Sequence, residues 1–116
     1  CTVFVAGFPV ITWNRLGREI ETNPLFPQRT NVEFVRVLSR KTIEVRFWER
    51  GVGETMSSGT GSCAAAVACI LNRRTGRKVH VRTSAGVLEV AWPAGGEVTL
   101  TGPAELIGRG TYLYRE

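Results

Sequence analysis

The junction that constrains the fold most is a loop in which glycine recurs, at Gly51, Gly53, Gly59 and Gly61, running directly into Ala64-Ala65-Ala66-Val67-Ala68-Cys69-Ile70-Leu71. A helix over about residues 60–72 with this composition is apolar on every side, which assigns it to a core rather than to a surface. The loop is therefore held at the amino-terminal end of that helix. There the first backbone N–H groups have no intrahelical partner and carry partial positive charge, so the position suits an anion such as a carboxylate. Gly59 and Gly61 allow backbone to approach a ligand without a Cβ in the way. Ser58, Thr60 and Ser62 bring hydroxyls to the same place.

At 116 residues the chain is expected to form one modest domain that buries a core without metal or disulfide support. No stretch approaches the roughly 18 continuous apolar residues of a membrane span, and no charged-then-apolar leader opens the sequence, so a soluble, cytoplasmic protein is expected. Cys1, Cys63 and Cys69 are odd in number and lie in or beside apolar runs, which suits buried thiols in a reducing compartment. Metal-ligand spacing is absent, the single histidine being His80. The net charge of +5 permits nucleic-acid binding. However, the densest basic group, Arg73, Arg74, Arg77 and Lys78, follows the apolar helix and complements its dipole. A solvated helix terminus is favoured there over a nucleic-acid patch.

The alternation of side chains predicts strands over residues 2–5, 31–37, 42–49, 78–83, 87–92 and 97–101, with a last one between 105 and 114 broken by glycines. The second and third of these read as a hairpin turning at Ser39-Arg40-Lys41. Trp13, Leu16 and Ile20 fall at helical spacing, predicting a surface helix over residues 12–20 with Thr12 as its N-cap and Gly17 weakening it. Asn23-Pro24-Leu25-Phe26-Pro27 is a turn-rich connection, and Thr75-Gly76 is expected to stop the apolar helix. Many strands and one apolar helix imply an α+β fold, a curved mixed or antiparallel sheet wrapped around that helix.

Several separated stretches carry a family likeness: Asn23-Pro24-Leu25-Phe26-Pro27-Gln28-Arg29-Thr30-Asn31-Val32-Glu33-Phe34, Trp48-Glu49-Arg50-Gly51, Gly53-Glu54-Thr55, Gly59-Thr60-Gly61 and Thr101-Gly102-Pro103-Ala104-Glu105. In this order they resemble the carboxyl-terminal half of diaminopimelate epimerases, over most of the chain. The resemblance implies a cofactor-independent enzyme of lysine and cell-wall precursor synthesis. In that family two similar domains close over the substrate, and each contributes one cysteine, the pair exchanging the α-proton from opposite faces. Carried over by position, Gly59 and Thr60 hold the reacting α-carboxylate, Glu49 contacts the amino group, and Asn31 and Arg50 recognise the distal end. An arginine fork suits a carboxylate there. Taken singly, Glu49 and Arg50 read equally well as an exposed strand end and Asn31 as a turn former.

Ser58 stands where the resemblance implies this half's catalytic cysteine. A thiol with an ordinary pKa near 8.5 is lowered at a helix terminus, whereas an alcohol lies several units higher, and each unit costs about 1.4 kcal/mol in forming the base. No neighbouring base activates Ser58. His80 reads as structural and Cys63, a turn inside the helix, as a small buried apolar residue. The family also carries Gly-Asn-Pro-His before the position of Cys1, so the chain reads as clipped at its amino-terminal end. Three functions follow: an epimerase of the diaminopimelate type with impaired two-base chemistry, a one-base isomerase or dehydratase acting on another amino acid, or a non-catalytic binding module. The expected partners are an amino-acid substrate and the amino-terminal half of the same enzyme or a companion chain. A homodimer stays open, and neither nucleic acid nor membrane is expected.

Overall fold

The computed structural model describes residues 1–8 and 13–116. Seven strands form one mixed sheet: β1 (Thr2–Phe4), β2 (Val32–Val37), β3 (Thr42–Glu49), β4 (Gly53–Thr55), β5 (Lys78–Thr83), β6 (Gly86–Ala91) and β7 (Thr99–Thr101). Two helices accompany them, α1 (Trp13–Glu21) and α2 (Gly59–Leu71). The order across the sheet is β1-β2-β3-β5-β6-β7, with β4 also on β3. The β1–β2 and β3–β5 pairs are parallel, and the remaining pairs are antiparallel. The α+β class and the mixed sheet are as expected.

Strand β3 organises the layers, because its alternating sequence sends side chains to two different helices. Ile43, Val45 and Phe47 join Val35, Val79, Val81 and Val90 in one buried cluster with Ala65, Ala66, Cys69 and Ile70 of α2. Removing a side chain of the size of Phe47 or Ile43 from water contributes about 1.5–3 kcal/mol. Small residues on α2 let the helix lie close to the strands, and the alanines supply them. On the other face, Trp48 and Phe34 meet α1: Trp13 sets its ring edge-on to Phe34 at a centroid distance of 5.9 Å, and Gly17 lies against Trp48.

One edge of β3 is divided. Residues 42–44 pair with β5, and residues 47–49 pair with β4. The chain leaves β4 at this division and enters α2 after only Met56, Ser57 and Ser58. The division therefore delivers the start of α2 to the end of β3.

Other expectations meet the structure with differences. The hairpin between β2 and β3 turns as expected, Leu38 and Ser39 donating backbone N–H bonds to the Thr42 carbonyl at 3.0 and 3.1 Å. The connection after α1 is turned by Asn23, whose Oδ1 accepts the Leu25 N–H at 2.9 Å. Thr12 lies outside the described residues. Residues 53–55, expected as loop, form β4, because Gly53 at φ +98° closes a tight reversal after Glu49. The stop of α2 comes before Thr75-Gly76. Arg73 takes a left-handed φ of +55°, and the Arg73 and Arg74 N–H groups return to the Ile70 and Cys69 carbonyls, the paired bonds of a Schellman ending. No strand forms between residues 105 and 114. The chain runs out from the sheet after β7, with Leu106, Ile107, Tyr112, Leu113 and Tyr114 more than 70% exposed. The radius of gyration of 16.0 Å, against about 13 Å for a compact domain of this length, reflects this extension. Cys69 is buried and Cys63 half-buried, but Cys1 is exposed rather than buried.

Gly17 is a packing requirement rather than a weak point in α1. A Cβ at that position would lie 2.7 Å from Cγ of Trp48. Alanine normally gains up to about 1 kcal/mol over glycine inside a helix, whereas overpacking against a ring costs about 1–3 kcal/mol, so Gly17→Ala is expected to lower the free energy of unfolding. Urea denaturation of the two proteins reads the sign directly.

Candidate functional site

The first turn of α2 sits on β3 at a distance that only glycine permits. A Cβ on Gly61 would be 2.9 Å from the Phe47 ring and 3.0 Å from the Ser58 hydroxyl oxygen. A Cβ on Gly59 would be 3.2 Å from Leu100. Ser58 precedes this turn as the N-cap, in extended conformation at φ −147°, ψ 124°. Its Oγ accepts the Gly61 N–H at 3.1 Å and its carbonyl accepts the Ser62 N–H at 2.9 Å. The Gly59 and Thr60 N–H groups then have no partner among the described residues. Ser62 Oγ is also buried without a partner among them.

Glu49 comes two residues after Phe47 on β3 and shares its α2-facing side. Its Oε1 accepts the Thr55 hydroxyl at 3.1 Å from the neighbouring β4. Glu49 is half-buried and pairs with Gly53 at the end of β3 where the chain turns into β4, while Thr55, paired with Phe47, leads toward the helix start. Asn31 and Arg50 are both exposed and adjoin each other, Asn31 Oδ1 accepting the Arg50 backbone N–H at 2.8 Å. The Arg50 guanidinium donates to the Gln28 carbonyl at 3.2 Å. The six residues expected from the sequence therefore fall into two groups with one residue between them in the chain's course along β3. Ser58, Gly59 and Thr60 form the helix start, and Asn31 and Arg50 form a pair at the turn after β3, with Glu49 on the strand between them. The exposed and half-buried positions give the site an open face.

Sequence reasoning missed the residue beneath the turn. Glu21, at the end of α1, is 5% exposed. Its Oε2 accepts the Trp48 indole N–H at 2.7 Å, and its Oε1 accepts the Gly51 backbone N–H at 2.9 Å and the Arg29 guanidinium at 3.0 Å. The signal was available, since Glu21 lies four residues from Gly17 and so on the same inward stripe. Leu16, 41% exposed, drew the expected stripe to the wrong side.

The remaining candidates take structural places. His80 is exposed and faces Glu89 across the β5–β6 pair at 3.3 Å, away from the helix start. Burial pushes the Cys63 thiol up. Burial likewise pushes Cys69 to about 11, against the opposing effect of Arg74, so neither favours a thiolate. The basic group after α2 is engaged on the protein itself. Arg74 lies 3.9 Å over the Phe4 ring, Arg77 donates to the Trp92 carbonyl at 2.9 Å, and Lys78 pairs with Glu89 at 3.4 Å. Among the described residues no cluster of three potential metal ligands occurs, and no helix is long and apolar enough to cross a membrane.

Comparison with known proteins gives one consistent family. The profile of the family described as diaminopimelate epimerase matches residues 1–107. The chain is 50% identical over 115 residues to a diaminopimelate epimerase of Pelotomaculum thermopropionicum, covering 99% of this chain and 41% of that protein. It is 50% identical over 116 residues to one of Moorella thermoacetica, covering 97% of this chain and 40% of the relative. The chain thus spans about two fifths of the length of these relatives. Among solved structures, a phenazine biosynthesis protein of the PhzF family from Bacillus anthracis shares the fold at a TM-score of 0.57 and 18% identity, over 85% of this chain and 33% of that one. A putative PhzC/PhzF protein from Clostridium difficile does so at 0.54 and 20%, over 78% and 32%.

Two outcomes follow from the site's bonds. Ser58→Ala removes the N-cap acceptor and is expected to cost about 1 kcal/mol of stability, while Ser58→Asn, another capping residue, retains most of it; thermal unfolding compares the three. The Gly51 N–H, then the Trp48 indole and Arg29, hold the Glu21 carboxyl below its ordinary value of 4.5. The folded protein thus binds this proton less readily than the unfolded chain. The resulting stabilisation is complete above the ordinary value and is lost as pH falls through the depressed one. Unfolding free energies measured down an acid series are expected to converge for the wild type and Glu21→Gln as pH drops through the carboxylate range.

Proposed function

The chain belongs to the diaminopimelate epimerase family, and on that premise we propose that it is the carboxyl-terminal half of an amino-acid epimerase of the diaminopimelate type, acting without a cofactor. One observation carries the reading: two unpartnered N–H groups begin a helix whose first turn rests on Phe47, and Glu49 stands two residues further along the same face of that strand. A zwitterionic amino acid has the matching polarity, its carboxylate going to Gly59 and Thr60 and its ammonium to Glu49. Arg50 and Asn31, beyond Glu49, take the distal end of the substrate. In this reading the sheet wraps α2, and the amino-terminal half covers both the open face of the site and the apolar residues between 106 and 114.

The chemistry is removal and return of the α-proton. The carbanion that forms is unstable, and helix-terminal N–H donors stabilise the charge that spreads onto the carboxylate oxygens. Closure of the other half over the site dries it and strengthens that effect. Exchange from two faces needs a base on each side of the carbon. The amino-terminal half supplies one, and Ser58 occupies the position of the other. As an alcohol, Ser58 is several pKa units from an effective base, each unit opposing proton removal by about 1.4 kcal/mol.

A second reading, a one-base isomerase or dehydratase acting on another amino acid, is favoured by one bond. The Ser58 oxygen already accepts the Gly61 N–H, and no histidine or thiolate stands by to take its proton. A binding module that retains the carboxylate pocket without catalysis is the remaining outcome. All three separate in one experiment on the full-length protein that carries this chain, incubated with LL-diaminopimelate in deuterium oxide. The proposed function expects slow α-deuteration with epimerisation, raised by Ser58→Cys by at least about tenfold, since more than one pKa unit of base strength is gained. Deuteration or elimination without epimerisation in both proteins supports the one-base reading. Binding with no exchange in either leaves only the binding module.

A further inference from the structure

The turn that presents Glu49 and Arg50 has little apolar packing of its own. Arg50, Gly51 and Val52 are exposed, and a cleft of about 250 Å³ lined by Arg18, Glu21, Arg29, Trp48 and Gly51 lies behind it. Gly51 at φ +74° and Gly53 at φ +98° are left-handed in the turn itself, and Arg29 at φ +61° is left-handed in the neighbouring segment. A non-glycine residue in that region is strained and persists only where its surroundings hold it. What meets both segments is one buried side chain. Glu21 accepts from Trp48, the residue before Glu49, from Gly51, the residue after Arg50, and from Arg29, two residues before Asn31.

We propose that Glu21 is the positioning residue of the substrate-recognition turn: its carboxylate, buried at the end of α1, fixes Trp48, Gly51 and Arg29 together so that Glu49, Arg50 and Asn31 converge on one ligand. The assignment of those three residues to a ligand rests on the function proposed above, whereas the anchoring itself rests on the hydrogen bonds alone. The bonds fit a carboxylate and not its amide. All three neighbours are donors, and a carboxylate only accepts, whereas an amide turns two further donors toward them. With the carboxylate ionised all three bonds are charge-assisted, the kind about twice as strong as a neutral pair, and Arg29 adds a second charge. The depressed pKa of Glu21, set first by the Gly51 N–H, keeps the acceptor charged over the neutral range. The Asn31 side chain then closes the arrangement by accepting the Arg50 N–H. Anchoring at Glu21 is thereby transmitted to both residues at the distal end.

The test uses the full-length protein with Glu21→Gln, which preserves side-chain volume, and Trp48→Phe, which deletes one donor and keeps a ring under Gly17. Native-state hydrogen exchange is expected to quicken at the Arg50 and Gly51 amides by about tenfold or more in Glu21→Gln, the loss of one hydrogen bond to a charged group, with amides of Ala65 and Ala66 in α2 unchanged. Trp48→Phe is expected to give the same local pattern to a smaller degree, and it decides the question if Glu21→Gln fails to fold. Calorimetric titration with meso-diaminopimelate is expected to show about tenfold weaker binding in Glu21→Gln, and a clearly smaller loss when Glu21→Gln is added to Arg50→Ala, where only Glu49 and Asn31 remain to be positioned. Exchange that is unchanged at Arg50 and Gly51, or that rises equally in α2, overturns the proposal, as does a full additional loss in the double variant. Absence of any diaminopimelate binding by the wild type overturns the proposed function instead, and exchange at Arg50 and Gly51 then decides the role of Glu21 by itself.

Discussion

The contact between Gly61 and Phe47 sets the geometry on which the rest depends. A helix start rests directly on a strand there, with no room for a Cβ between the ring and the helix. Moving α2 outward by the width of a methyl group would withdraw Ala65, Ala66 and Cys69 from the strands that bury them. It would also separate the helix terminus from Glu49, two residues further along β3. The packing that stabilises the domain and the placement of opposite polarities at the site are thus one constraint. A core mutation at this contact would act on both together.

Strand β3 extends that coupling to the opposite face of the sheet. Its last residues alternate between helices, with Phe47 and Glu49 toward α2 and Trp48 toward α1. Glu49 and Trp48, the side chain that binds Glu21, are therefore consecutive, and a shift in either is felt by the other. Because β4 and β5 share the remaining edge of β3, backbone pairing there is divided in two. The chain that returns along β4 is short, only three residues, and side-chain bonds such as Thr55 to Glu49 supplement the ladder.

Much of this was legible in the sequence where periodicity or composition had a single physical outcome. The apolar run forms a helix within one residue of its expected bounds, but only one side of it is buried, through Ala65, Ala66, Cys69 and Ile70, while Ala64 and Leu71 are exposed; Ile43, Val45 and Phe47 declared an inward face by alternation. The glycines at 59 and 61 were read as space for a ligand, whereas the structure gives Gly61 to Phe47 and sets Gly59 close to Leu100. Glycine spacing alone does not distinguish the two uses of an absent Cβ. Gly17 and Glu21 failed for a related reason. A glycine and an acid on the inward stripe of a helix look like defects until the tryptophan they serve is in place, and Trp48 is distant in sequence. Arg73 in a left-handed conformation was also invisible, because the local pattern offered Gly76 as the more ordinary stop. The exposed apolar residues from 106 to 114, interrupted by Gly108 and Gly110, have the composition of a broken strand, but a strand needs a neighbour, and that information is not local.

Position 58 illustrates how one atom can be asked to serve two ends. As the N-cap of α2 its side chain must accept a backbone N–H, and serine is among the best residues for that purpose while cysteine is not among them. In the proposed reading the same side chain also stands where an acid or base exchanges protons near neutrality, a role in which a thiol is the better choice and an alcohol is held back by its high pKa. The positive end of the helix favours both uses, because the same N–H groups that need an acceptor also lower the pKa of whatever stands before them. Serine at this site resolves the conflict in favour of folding. In the proposed reading proton exchange on the Ser58 side of the substrate is then slow, with Gly59, Thr60 and Glu49 retaining the part that is purely electrostatic.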